Sequence, residues 1–274
     1  MAQYLHGNYR LSISSSCRLC SISQSNFYYK AKKSVADENI KIQLLALAKE
    51  HRTWGFEKMY AYLKNDGLKF NHKRVHRIYR ELSLNKRVKR KKHFIKREPL
   101  VLLQPLEPNY YWSIDFMSDA LMNGSKIRTF NVIDDFNREA LDIKAAFSIP
   151  ARKVTSVLDS IAIIRGYPAN IRVDNGPEFI SAHFKNWAKS KGIDIHYIQP
   201  GKPAQNAFIE RFNKTFREDV IDAYMFVDLE QLQEITNEWI KGYNADRPHQ
   251  SLGNLSPIDF ANKRRGLINY TTVN

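Results

Sequence analysis

Three acidic residues lie where a carboxylate could do chemistry. Asp115 alternates with apolar residues in a predicted interior strand, Asp174 ends another predicted strand just before an Asn-Gly pair, and Glu210 lies on the polar stripe of a predicted helix. A buried carboxylate needs a partner or a metal ion, and carboxylates without cysteine or clustered histidine favour Mg²⁺ or Mn²⁺. Two such ions can activate an attacking oxygen and stabilise a leaving one in phosphoryl transfer. The residue types therefore indicate a phosphoryl-transfer site.

Residue type alone does not single out these three acids. Asp134, Asp135 and Glu178 offer further carboxylates in the same half of the chain. An acid taken in isolation is more often a surface or capping residue than a metal ligand. On composition alone, the choice of ligands stays open.

The elements that must position the acids follow from the apolar pattern. Strands are predicted over 112–117, 127–133, 140–147, a segment ending at 173–174, and 193–198, and helices from Pro150, around 179–191 and from about 204. Three antiparallel strands followed by helix, strand, helix, strand, helix specify an α/β fold with a mixed sheet. This is the order of a ribonuclease-H-like fold with five strands.

The positive charge is confined to one part of the chain. The first 100 residues contain 23 Lys and Arg against 7 Asp and Glu, and the remaining 174 contain 20 against 21. A basic part joined to a neutral part suggests that one domain holds a polyanion and the other does something else.

The basic part contains three predicted helices. One covers 38–50, a second lies between Gly55 and Gly67, and a third covers about 72–82 with Asn71 as its N-cap. The third helix has an apolar stripe and a separate basic face, which suits docking to DNA, although a solvated surface helix would look similar. The predicted DNA-binding residues on this helix are Lys73, Arg74, Arg77 and Arg80. A weaker pattern over 16–29 resembles the end of another helix-turn-helix.

A cationic linker follows the helices. Residues 86–97 contain eight cations and no acid, and prolines at 99, 105 and 108 follow. Such a segment repels itself and could follow a DNA backbone, although a solvated connector is the simpler alternative. The predicted DNA-binding residues here are Lys86, Arg87, Lys89, Arg90, Lys91 and Lys92.

Other classes of protein and site are disfavoured. Two cysteines give no disulfide framework, and no apolar run or leader predicts a membrane span or a signal peptide, so we expect a cytoplasmic protein. Cys17, Cys20, His72 and His76 are zinc-type ligands at short spacings, but coincidence explains them more simply.

The spacing of the acids selects among the alternatives. Asp115 and Asp174 flank 58 residues, Asp174 and Glu210 flank 35, and Arg217 lies seven positions after Glu210. This pattern resembles the Asp-Asp-(35)-Glu signature of retroviral integrases and transposases. Within that group the chain is most similar to the bacterial insertion-sequence-three family, in its second-reading-frame product. The matching segments in this part of the chain are 112–115, 132–136, 172–179, 200–213, 243–244, 247–249, Leu252 and 256–257, where Ser256 replaces the more usual Thr. Residues 54–56 and 71–75 match the family's helix-turn-helix.

The resemblance, over about residues 8–262, implies a transposase. Asp115, Asp174 and Glu210 would hold two Mg²⁺ ions when DNA is bound, and water or a DNA 3′-hydroxyl would be the nucleophile. The implied partners are double-stranded DNA, as element terminal repeats and target, further copies of the chain on that DNA, and a DNA-binding protein from an upstream frame. Arg217 is expected to contact DNA.

The expected organisation is a helix-turn-helix-like segment (1–34), a helix-turn-helix domain (35–85), the linker (86–108), an integrase-like catalytic core (109–225) and a C-terminal helix and tail (226–274). Two other functions stay open. One is a DNA-binding regulator or assembly factor whose core is catalytically silent, and the other is a nuclease that cleaves without joining.

Overall fold

The computed structural model describes residues 1–28, 35–86, 102–199 and 203–271. The chain divides into two compact units, Met1–Leu45 and Ala46–Asn274. Of the predicted DNA-binding cations, Arg87, Lys89, Arg90, Lys91 and Lys92 lie outside the described residues. None of the helices that the structure describes is long and apolar enough to cross a membrane.

The first unit is helical. It contains α1 (Ala2–Tyr9), α2 (Ile13–Leu19), α3 (Gln24–Tyr28) and the beginning of α4 (Val35–Glu50). Ser12 caps α2, because its side chain accepts a hydrogen bond from the main-chain N–H of Ser15. The sequence predicts a turn around residues 23–26, but α2 ends at Leu19 and α3 begins at Gln24, so the turn lies earlier and most of the predicted one is helical.

Two further helices complete the helix-turn-helix part of the chain. They are α5 (Phe56–Asn65) and α6 (His72–Glu81). As predicted, Asn71 caps α6 and its Oδ1 accepts from the N–H of Lys73 at 2.8 Å. Val75, Ile78 and Tyr79 are buried, so the apolar stripe of α6 packs inward and its basic face is left for solvent.

The predicted mixed five-stranded sheet is confirmed. Its strands are β1 (Tyr111–Ala120), β2 (Lys126–Asp134), β3 (Ala140–Ala146), β4 (Asn170–Val173) and β5 (Asp194–Tyr197). The spatial order is β3-β2-β1-β4-β5. The β1/β2 and β2/β3 pairs are antiparallel, and the β1/β4 and β4/β5 pairs are parallel.

Helices cover both faces of the sheet. Successive residues of a strand point to opposite faces, and both faces carry apolar residues that must be buried. One face carries α7 (Ala151–Arg165), α8 (Pro177–Ile180) and α9 (Ala182–Lys191), and its core includes Trp112, Ile114 and Val173. The other face carries α10 (Ala207–Phe216) and α11 (Leu229–Ala245), which pack on residues such as Ile133 and Ile143.

The structure departs from the predicted helices at Ser181 and on either side of α10 (Ala207–Phe216). The helix predicted around 179–191 is divided into α8 and α9 at Ser181, whose side chain caps α9 by accepting from the N–H of Phe184. A 3₁₀ turn, Pro203–Asn206, precedes α10, and a π-helical turn, Arg217–Ile221, follows it. The chain then forms α11, a 3₁₀ turn at Gln250–Leu252 and α12 (Pro257–Thr271).

Side chains of α11 bond to the outer strand of the sheet. Gln233 accepts from the N–H of Ala145 and donates to the carbonyl of Ile143, at 3.0 and 2.9 Å. Asn244 accepts from the N–H of Ala140 and donates to its carbonyl, at 2.8 and 2.9 Å. These side-chain amides therefore hydrogen-bond to backbone groups on the outer side of β3, where the described sheet has no further strand.

Candidate active site

Asp115 lies in the central strand, on the sheet face that α10 covers. Its neighbours in β1, Ile114 and Phe116, pack in the opposite core. The main-chain N–H of Phe116 donates to Oδ1 of Asp115 at 2.8 Å, and Nδ2 of Asn213 donates to Oδ2 at 2.8 Å. Both carboxylate oxygens are therefore fixed by hydrogen bonds.

Asp174 follows the last residue of β4, the parallel neighbour of β1. Its Oδ1 accepts from the N–H of Gly176 at 2.9 Å, which forms a tight turn just before α8. A Cβ atom at Gly176 would lie 2.9 Å from this same oxygen. Only glycine leaves the carboxylate room in this position.

Glu210 is exposed and lies in the first turn of α10. Three residues later Asn213 is buried and bonded on two sides, because Nδ2 of Asn131 in β2 donates to Oδ1 of Asn213 at 2.7 Å. Asn213 in turn donates to Asp115. This chain of hydrogen bonds fixes α10 against β1 and β2, and with it the backbone that carries Glu210.

The charges of Asp174 and Glu210 act on Asp115. The pKa of Asp115 is raised to about 6, mainly by burial and to a smaller extent by the charges of Asp174 and Glu210, against the lowering effect of the hydrogen bonds from Phe116 and Asn213. Burial also raises the pKa of Glu210. Residues from β1, the end of β4 and α10 thus form one cluster of like charge.

A hard cation fits this cluster by donor type and by charge. The donors are oxygens only, which suits Mg²⁺ or Mn²⁺, and a cation would relieve the repulsion at Asp115. Within the described ranges, no group of three or more His, Cys, Asp or Glu side chains is already arranged to hold a metal ion. This statement covers the three acids and also Cys17, Cys20, His72 and His76.

The other acids considered from the sequence have structural partners. Asp134 accepts from the main-chain N–H groups of Asn109 and Phe136, at 2.8 and 2.9 Å. The remaining two acids form ion pairs, Asp135 with Arg172 and Glu178 with Arg128. These contacts hold the sheet and the α8 turn together.

The cations of α6 have different surroundings. Lys73 and Arg80 are exposed. The guanidinium of Arg74 lies 5.1 Å from the ring centroid of Phe70, and Arg77 pairs with Glu81 at 2.8 Å. Lys73 and Arg80 therefore offer the most accessible charge on this helix.

Two further predicted DNA-binding residues lie outside α6. Lys86, the first residue of the linker, is exposed. Arg217 pairs with Asp119 of β1 at 2.7 Å and donates to the carbonyl of Ser118 at 3.1 Å. In this structure Arg217 ties the end of α10 to β1, a role that its spacing from Glu210 does not reveal.

Family models match most of the chain. Two models described as an integrase core domain match residues 105–203 and 191–257, and one described as an HTH-like domain matches residues 35–92. Asp115 and Asp174 fall in the first integrase match and Glu210 falls in the second.

Relatives and solved structures agree with these matches. The chain is 41% identical over 251 residues to the insertion element IS407 uncharacterized 31.7 kDa protein of Burkholderia multivorans, covering 91% of this chain and 90% of the relative. It is 27% identical over 265 residues to the putative transposase InsK for insertion sequence element IS150 of Escherichia coli, covering 90% and 92%. A chain of the simian T-cell lymphotropic virus intasome in complex with PP2A regulatory subunit B56 gamma is similar in fold, with a TM-score of 0.51 and 18% identity over 73% of this chain and 69% of that one.

Proposed function

Because the chain belongs to the insertion-sequence-three family of bacterial transposases, we propose that it binds the ends of its element, cleaves DNA strands there and joins them to target DNA. Asp115, Asp174 and Glu210 are the proposed catalytic residues. Further copies of the chain and an upstream-frame DNA-binding protein are the proposed partners on DNA.

One observation carries the assignment of the site. Asp115 lies at the centre of the sheet, and its pKa is raised to about 6 by burial and by the charges of Asp174 and Glu210. Such a clustering of acids opposes stability unless a cation binds there. Acids with perturbed pKa values that come from separate elements are candidates for a functional site.

The chemistry of the proposed site has two contributors. Bound Mg²⁺ or Mn²⁺ would supply activation of the attacking oxygen and stabilisation of the leaving oxygen. The chain itself holds the carboxylates in position. Asn213 holds the Asp115 carboxylate by a hydrogen bond, and the turn at Gly176 fixes the carboxylate of Asp174.

DNA binding is assigned to the basic part of the chain. The exposed residues Lys73 and Arg80 lie on α6, and the cationic linker begins at Lys86. Cations beside phosphates release counterions and give affinity, whereas a helix in a groove can reach base edges and give sequence preference.

The decisive experiment compares binding, cleavage and joining on a duplex that carries an element end. Asp115→Asn, Asp174→Asn and Glu210→Gln should each abolish cleavage and joining in Mg²⁺ or Mn²⁺ while leaving DNA binding largely intact. Asp194→Asn is the matched control, because Asp194 is an exposed acid at the start of β5.

Each outcome has one interpretation. Normal joining by any triad variant removes that residue from the site. A wild-type chain that binds ends but never cleaves would support the silent regulator, and cleavage without joining would support a nuclease.

A further inference from the structure

The turn that joins β2 to β3 contains a buried arginine. Arg138 is only 7% exposed, so its guanidinium is not accessible to DNA phosphates. Its backbone lies in the left-handed region with a φ of 62°, and its main-chain N–H donates to the carbonyl of Asp134 at 2.9 Å. Residues other than glycine, asparagine and aspartate rarely adopt this conformation. The turn therefore places Arg138 at a cost in backbone strain.

Neighbouring elements fix this turn in place. The main-chain N–H of Asp135 donates to the carbonyl of Tyr111 in β1 at 2.9 Å. Nδ2 of Asn137 donates to the carbonyl of Pro257, the first residue of α12, at 3.1 Å. Because the turn is held both by the sheet and by α12, Arg138 extends from a fixed support.

Arg138 contacts the first turn of α10. Its guanidinium carbon lies 3.3 Å from the centroid of the Phe208 ring, so the two groups are in direct contact. A guanidinium is attracted by the face of an aromatic ring and stacks on it as a plane. Phe208 is half-buried and precedes Glu210 by two residues. The contact therefore ties the β2–β3 turn to the helix that carries Glu210.

Stabilisation of the core does not explain why this side chain is an arginine. Nη1 of Arg138 is buried and has no hydrogen-bond partner among the residues that the structure describes. Burial lowers the pKa of Arg138 to about 10, which leaves the group charged at neutral pH. A buried cation with an unbonded nitrogen does not favour folding over an apolar side chain of similar length. An apolar side chain would not supply a planar, charged surface for the ring of Phe208.

Phe208 and Glu210 lie on opposite borders of the buried face of α10. This face consists of Ile209, Phe212 and Phe216. At about 100° per residue, Phe208 and Glu210 are about 200° apart around the helix. Apolar packing is non-directional, so it opposes rotation of the helix about its axis only weakly, and such a rotation would move Glu210. A directional contact at Phe208 opposes this rotation.

We propose that Arg138 is a positioning residue for Glu210, which it holds by stacking on Phe208 at the start of α10. Asn213 fixes the next turn of the helix through its hydrogen bond to Asp115. The two contacts hold α10 on either side of Glu210. The inference rests on the proposed function, because Arg138 affects the reaction only through Glu210.

The first test measures amide hydrogen exchange in the chain without metal or DNA. In Arg138→Met, the main-chain N–H groups of Arg211 and Phe212 should exchange roughly 10-fold faster, because their helical acceptors lie in the first turn and a desolvated cation–π contact is lost. The N–H of Phe216, beyond the contact made by Asn213, should keep its wild-type rate. Unchanged exchange at Arg211 and Phe212 would overturn the inference.

Further variants separate stacking from charge. Arg138→Lys keeps the charge but not the plane, so it should exchange like Arg138→Met. Phe208→Leu should have the same effect, whereas Phe208→Tyr keeps the ring face and should match the wild type. The double variant Arg138→Met/Phe208→Leu should exchange no faster than either single variant, because both remove the same contact. Wild-type exchange in Arg138→Lys, or additive effects in the double variant, would contradict the stacking role.

Arg165→Met is the matched control for general stability. Arg165 belongs to α7 and pairs with Glu139, the residue that follows Arg138. Its replacement should lower the melting temperature by leaving a half-buried acid without its partner, but it should not speed exchange selectively at residues 211 and 212. If it speeds exchange there as much as Arg138→Met does, the effect is general destabilisation and the inference fails.

The second test measures cleavage and joining on an end-containing duplex. Arg138→Met should slow both steps roughly 10-fold and raise the Mg²⁺ concentration needed for half-maximal cleavage, because Mg²⁺ demands near-ideal ligand geometry. DNA affinity should stay at the wild-type value, since Arg138 is buried. Normal cleavage by Arg138→Met beside an active wild type would overturn the positioning role and leave the proposed function intact. A wild-type chain that never cleaves would overturn both.

Discussion

Thr53 and Asp219 are 166 residues apart in the chain, and the hydroxyl of Thr53 donates a hydrogen bond to the carboxylate of Asp219. Asp219 lies in the π-helical turn that follows α10 and also binds Trp239 and Arg247. The loop between α4 and α5 is thereby attached to the end of the helix that carries Glu210.

We expect Asp219 to contribute more than Thr53 to the free energy of unfolding. Asp219→Ala leaves the nearly buried guanidinium of Arg247 without its acid, which should lower the free energy of unfolding by about 3–5 kcal/mol. Thr53→Val removes one hydrogen bond and should cost about 1 kcal/mol. Denaturant unfolding measures both, and equal costs would contradict the central role of Asp219.

Gly176→Ala should abolish catalysis without unfolding the core. The added Cβ would lie 2.9 Å from Oδ1 of Asp174, so the carboxylate or the turn must move. The control is Gly242→Ala in α11, where the new Cβ would lie at an ordinary contact distance, 3.8 Å, from a carboxylate oxygen of Asp246. Strand-transfer assays beside DNA-binding assays check this, and full activity of Gly176→Ala would show that the turn tolerates displacement.

Asn213→Leu should raise the Mg²⁺ concentration needed for cleavage several-fold. The amide of Asn213 lowers the pKa of Asp115 by donating to it, so its loss leaves more of Asp115 protonated near neutral pH. Thr215→Val is the control, because its buried hydroxyl lies on the same helix and donates to the carbonyl of Arg211. Titration of cleavage with Mg²⁺ gives the answer, and identical curves would contradict a positioning role for Asn213.

His249 should make the native state sensitive to acid. Burial lowers the pKa of His249 to about 3 in the folded protein, below the ordinary histidine value of 6.5, so the unfolded state binds the proton first. The stability that this residue contributes is present above pH 6.5 and is lost as pH falls toward 3. Between pH 7 and pH 5 the wild type should lose about 2 kcal/mol relative to His249→Gln. Unfolding of both proteins at the two pH values measures this difference. An equal loss of stability in the wild type and in His249→Gln would exclude this contribution.

Replacing Arg77 and Arg80 with Ala should reduce the preference for element ends over scrambled DNA. A bidentate contact to a base edge contributes about 1–3 kcal/mol of discrimination. Lys69→Ala, an exposed cation just before α6, is the control. Binding isotherms on both duplexes provide the measurement, and an unchanged preference would place base recognition elsewhere.

The strands and most helices follow from local patterns, whereas the contacts that join distant segments do not. Asn71 was predictable as a cap because it acts on the N–H of Lys73, two residues away. The break at Ser181 was not, because an apolar helical pattern continues across it. Asn213 already lies on the polar stripe of α10, but that stripe does not reveal its contact with Asp115, 98 positions earlier.

The charged residues show the same limit. The family resemblance predicts that Arg217 contacts DNA, whereas its pairing with Asp119 depends on how α10 crosses β1 and is not visible in the sequence. The excess of cations in the first 100 residues was visible from the sequence.

The amide side chains of Gln233 and Asn244 have a consequence for how copies of this chain can associate. An unpaired outer strand is a template for the strand of another molecule, and aggregation or swapping begins there. Because α11 occupies those backbone groups of β3, that edge is closed to strand addition. A chain shortened before Leu229 would uncover this edge and should aggregate even if its sheet still forms, so α11 helps to keep the sheet from pairing with strands of other molecules.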